Sequence, residues 1–77
     1  MESKRVTYRK QILIDLEDKY LVKMRGHIIN LSVLLDSPTA VAEHRDILAL
    51  VEAEVAKIAE CEERLQAVRC IPHETSR

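Results

Sequence analysis

The chain has one glycine, Gly26, and two prolines, Pro38 and Pro72, among 77 residues. All-β folds reverse direction often and rely on Gly, Asn and Pro to do so. That scarcity argues against a sheet-rich fold and predicts a few long elements. Phe and Trp are missing, and Tyr8 and Tyr20 are the whole aromatic complement. A core must therefore be built from Leu, Ile, Val and Ala, which suits helix packed on helix. A single glycine also leaves no Gly-rich phosphate loop. No apolar run approaches the roughly 18–20 residues of a membrane span, and no apolar h-region follows the charged N-terminus, so no signal peptide is expected. Cys61 and Cys70 are the only cysteines. On one helix their spacing turns them to different faces, out of bridging range. They read as reduced thiols, with a cytoplasmic location expected.

What is present is aliphatic. Hydrophobic residues make up 47% of the chain, too many for a disordered segment. A chain this short forms one domain with a thin core and usually needs a staple or self-association. Net charge is -1, which by itself supports neither nucleic acid nor membrane. The charges are unevenly placed. Residues 1–27 carry seven Lys/Arg and four Asp/Glu, whereas residues 28–77 carry five and nine. A basic first half and an acidic second half favour lying side by side.

Two breaks divide the chain. Ser37 is a good N-cap and Pro38 fits a first helical turn; Ile71-Pro72 stops a helix near Cys70. The expected plan is all-α: a single helical-hairpin domain over 1–77. It has a helix at about 5–35, a turn at 36–37, a helix at about 38–70 and a frayed tail at 71–77. A two-residue link between matched helices makes them antiparallel and coiled-coil-like. Ile14, Leu21, Met24, Ile28, Leu31 and Leu35 recur at three- and four-residue steps, flanked by Leu13, Leu16, Tyr20, His27 and Leu34. Ile47, Val51, Ile58, Cys61, Leu65 and Val68 repeat likewise, with Leu48, Leu50 and Val55 alongside. These are the expected seams. Folding at residue 37 sets Glu54 near Tyr20 or Lys23. Asp15–Lys19 and Glu60–Arg64 are acid-then-base pairs at i,i+4.

The informative feature is surplus. Val22, Ile29 and Val33 form a second stripe well away from the first seam. Ala49, Ala53 and Ala56, with Ala42 and Ala67, cluster opposite the second. Single exposed apolar residues are ordinary and Ala is a good helix former, but surplus on both helices predicts a partner-binding surface and pairing into a four-helix bundle. Gly26 costs a helix interior about 1 kcal/mol relative to Ala. It is either a tolerated defect or a point of close approach for a partner. His27, Asn30 and His44 form a candidate polar cluster that fixes register.

No catalytic residue, metal or cofactor is expected. His27, His44 and Glu43 lack a ligand-spacing motif, and two helices enclose almost no pocket for Glu54 and Glu62 to work in. The primary expectation is a non-enzymatic protein–protein interaction module: an assembly subunit, co-chaperone or inhibitor, homo-oligomeric, presenting helix faces to another protein chain. The alternative is a small nucleic-acid-binding regulator that grips phosphates with Lys4, Arg5, Arg9 and Lys10 and stacks a base on Tyr8. A third reading places a small ligand between protomers around Gly26 and Tyr20. In size and plan the hairpin resembles two kinds of small helical protein: plasmid RNA-binding four-helix-bundle dimers, and the small co-chaperones of secretion needle subunits. The likeness is one of shape and assigns no residue a role.

Overall fold

Between Met1 and Ser37 there is no proline, and only Gly26 interrupts residues compatible with a helix. In the computed structural model this stretch is one continuous helix, α1 (Glu2–Asp36), of 35 residues. The second helix, α2 (His44–Arg69), has 26 residues, with Asp46 in its first turn and Arg69 in its last, both favourable to the helix dipole. The structure describes residues 2–36 and 44–74, and the side chains of 8–36 and 44–74. The expected turn at 36–37 and helix start at 38 therefore fall largely outside the described residues. Among those residues there are two helices packed on each other and no strand.

The packing is antiparallel. Arg9, early in α1, donates from Nε to the Pro72 carbonyl beyond the end of α2, at 3.0 Å. Arg69 donates from Nε to Glu17 Oε2, and His27 meets Glu54 near the middle of the pair. The molecule measures 63 × 15 × 11 Å. Its radius of gyration is 18.2 Å, against about 11–12 Å for a compact chain of this length.

Among the described side chains, the buried core is Leu13, Cys61, Leu65 and Val68. All four lie at the end where α1 begins and α2 finishes. Toward the connection between the helices the core thins. Ile47, Val51 and Ile58 are only partly covered there.

The α2 seam is the expected one. The α1 seam is the expected one in part. Leu13 is buried, and Ile14, Leu16, Tyr20, Leu21, Met24, His27, Leu31 and Leu34 are partly buried. Ile28 and Leu35, expected in the seam, are exposed. Met24 and Leu31 are flanked by two lines of seven-residue spacing: Ile14, Leu21, Ile28 and Leu35 on one side, Leu13, Tyr20, His27 and Leu34 on the other. Toward the connection the second line faces α2, where Glu54 sits on the inward line of α2. His27 supplies a donor to its carboxylate. Turning Ile28 inward would set an apolar side chain against that carboxylate.

The Cys70 N–H donates to the Gln66 and Ala67 carbonyls at 3.1 and 3.2 Å, and the Ile71 N–H donates to Val68 at 3.0 Å. Arg9 then holds the Pro72 carbonyl. This satisfies part of the carbonyl set that a helix end leaves open. Residues 75–77 are outside the described ones.

Candidate interaction surface

On α1 the stripe of Val22, Ile29 and Val33 is solvent-facing, at 65%, 62% and 64% exposure. At about 100° per residue these three centre on the direction roughly opposite the inward line through Leu13, Tyr20, Met24 and Leu31. Gly26 falls among them, giving a run of Val22, Gly26, Ile29 and Val33 at steps of four, three and four. A Cβ added at Gly26 would meet nothing within 4 Å. No close approach inside the hairpin explains this glycine, and the space above it is open. Ala49, Ala53 and Ala56 are exposed on the far side of α2 from its seam. The structure thus puts the two groups of partner-binding candidates on opposite outer faces.

The apolar surface is largest near the connection. Ile28, Ile29, Val33 and Leu35 of α1 and Leu48, Leu50 and Val55 of α2 are all among the exposed large hydrophobics.

The polar cluster forms with a different partner from the one expected. His27 Nδ1 lies 2.8 Å from Glu54 Oε1. A carboxylate only accepts, so Nδ1 carries the hydrogen. Lys57 Nζ stands 3.7 Å from the other oxygen of Glu54. The His27 hydrogen bond holds the Glu54 carboxyl below its ordinary pKa; partial burial opposes this, while the charges of Lys57 and His27 and a hydrogen bond from Asn30 assist. Glu54 was expected opposite Tyr20 or Lys23 and is instead found between one and two turns further along α1. His44, expected in the cluster, is exposed and apart from it. Of the two surface pairs anticipated at i,i+4, Arg64 does reach Glu60, at 3.6 Å. Asp15 instead accepts from Gln11 Nε2 at 2.8 Å.

Of the basic N-terminal group, the structure describes the side chains of Tyr8, Arg9 and Lys10. Lys4 and Arg5 lie within α1, but their side chains are outside the described residues. Arg9 is engaged with Pro72. Tyr8 and Lys10 are exposed but roughly 160° apart around the helix.

Among the described residues, no three His, Cys, Asp or Glu side chains are grouped as a metal site would require. No described helix is long and apolar enough to cross a membrane. Cys61 is buried, Cys70 is exposed, and both are free thiols. No buried side-chain nitrogen or oxygen among the described residues lacks a partner. The missed feature is the His27–Glu54 bond: each residue stood out in the sequence, but pairing them required the register.

Over the described residues the fold is all-helical, two helices packed on each other. No family model, curated protein or solved structure matches it.

Proposed function

We propose that this chain is a non-enzymatic interaction module, an assembly subunit or small chaperone-like or inhibitory protein, that presents helix faces to another protein chain and pairs into a four-helix bundle. The observation that carries the reading is the stripe of Val22, Gly26, Ile29 and Val33. It runs along the outer side of α1, is apolar, and turns away from α2. A helix with a second apolar stripe gains by covering it. The glycine within the stripe removes the side chain that would hold a partner helix off.

The test is a pair of baits. Chains retained by the wild type and lost with Ile29→Asp, at equal helicity by circular dichroism, support the reading. Identical sets of retained chains for the two baits would count against it.

A further inference from the structure

We infer that α1 has two packing settings on α2, and that the His27–Glu54 hydrogen bond is the lock that selects between them. In the observed setting Tyr20, His27 and Leu34 face α2. In the other, α1 rolls about its own axis and Leu21, Ile28 and Leu35 take their place. The roll is about 50°, half of the roughly 100° between neighbouring residues of a helix. The inference concerns the hairpin alone and holds whatever the Val22–Val33 stripe binds.

The sequence supplies both seams. Met24 and Leu31 belong to each. With Tyr20, His27 and Leu34 they recur at steps of four, three, four and three; with Leu21, Ile28 and Leu35 at steps of three, four, three and four. Either order is the spacing of a helix seam. The second seam is wholly apolar, whereas the first carries a phenol and an imidazole. Burial of apolar surface alone would turn the second inward.

The exposures locate the point where the two lines part. In the first half of α1 both are covered: Leu13 is buried, and Ile14, Tyr20 and Leu21 are partly buried. From His27 onward only one is. His27 and Leu34 stay partly buried, while Ile28 is 43% and Leu35 64% exposed.

The parting falls on the turn that meets Glu54. The Glu54 side chain is 14% exposed, and His27 Nδ1 donates to its Oε1 at 2.8 Å. Lys57 stands 3.7 Å from the other oxygen, and Asn30 adds a hydrogen bond from α1. A covered carboxylate that loses its donor is destabilising. Rolling α1 would put the Ile28 side chain where the imidazole stands. The bond therefore opposes the roll that apolar burial favours. A single polar contact in an apolar seam can choose among alternative packings in this way, and rotation of one helix on another is an established kind of two-state transition. The roll would also turn the Val22–Val33 stripe relative to α2, so the lock sets which surface the hairpin presents.

Methyl NMR of the intact chain, with a neutral gadolinium chelate as relaxation agent, tests this. Leu34 and Leu35 are chain neighbours that the two settings cover in opposite order. In the wild type the Ile28 and Leu35 methyl groups are expected to relax several-fold faster than those of Leu34. Glu54→Leu removes the carboxylate, and the order of Leu34 and Leu35 is expected to reverse. Glu54→Ala adds no bulk to the seam and is expected to reverse it too. Glu54→Gln keeps an oxygen that accepts from His27 and is expected to keep the wild-type order. Circular dichroism checks that each variant is folded; should Glu54→Leu or Glu54→Ala lose helicity, the other decides. The wild-type order in a folded Glu54→Leu or Glu54→Ala chain overturns the lock. Reversal in Glu54→Gln also overturns it, because the bond to His27 is then not what holds α1. A wild type in which Leu34 relaxes as fast as Leu35 removes the observed setting and the proposal with it.

Discussion

His27 Nδ1 donates to Glu54 Oε1 at 2.8 Å, joining the inward lines of α1 and α2 near the middle of the pair. This bond gives stability a pH dependence of defined sign. Glu54 has its carboxyl lowered from the ordinary value of 4.5, first by the His27 hydrogen bond. The unfolded chain therefore binds a proton at higher pH than the native one does. The contribution is complete above the unfolded value and is lost as pH falls through the lower, native one. Glu54→Gln removes this component. Urea midpoints at about pH 6 and about pH 3.5 should converge for the two proteins in acid and separate near neutrality. A constant gap across that interval would show that Glu54 is not the group responsible.

The core is short and one-sided, so truncations along α2 should differ sharply by position. Leu65 is among the buried core residues, and Leu65→Ala should cost about 2–5 kcal/mol. Leu50 is exposed, and Leu50→Ala should stay within about 0.5 kcal/mol. Chemical denaturation of both variants measures this. Equal losses would mean that burial is spread evenly along the hairpin, against the observed concentration at the Leu13–Leu65 end.

Arg9 grips the Pro72 carbonyl at the surface. A surface contact of this kind adds little to global stability, on the order of 0–1 kcal/mol. It does tie down the turn in which Cys70 and Ile71 donate back to α2. Arg9→Ala should leave the urea midpoint nearly unchanged and speed amide exchange at Cys70 and Ile71 several-fold, because local opening no longer breaks that contact. Unaltered exchange at both amides would show that the turn is held by α2 alone.

The hairpin was legible because the sequence offers so few places to reverse: Gly26 is a lone glycine, and the prolines stand only at 38 and 72. The α2 seam was legible because Ile47, Val51, Ile58, Cys61, Leu65 and Val68 form the one aliphatic line on that helix wide enough to be buried. The α1 seam was legible in part: its apolar arc holds two seven-residue lines, both partly covered in the first half of the helix, and spacing alone does not tell that Ile28 and Leu35 turn outward while His27 and Leu34 turn in. The exposed stripe of Val22, Ile29 and Val33 was legible from spacing alone. The larger apolar surface near the connection was not, since it exists only once the register sets the helices side by side.

Gly26 separates stability from binding. It lies in mid-helix with open space where a Cβ would stand. Gly26→Ala therefore removes backbone entropy from the unfolded chain without a clash and should stabilise the hairpin by about 1 kcal/mol. For a domain of this size that raises the melting temperature by roughly 4–8 °C. If the Val22–Val33 stripe receives a partner helix across Gly26, the same methyl group holds that helix away and weakens capture of the partner chains that the wild type retains. The two readouts should move in opposite directions. A variant that gains stability and keeps its full complement of partners would leave Gly26 as a tolerated defect of α1, and close helix approach would then have to occur elsewhere on the stripe.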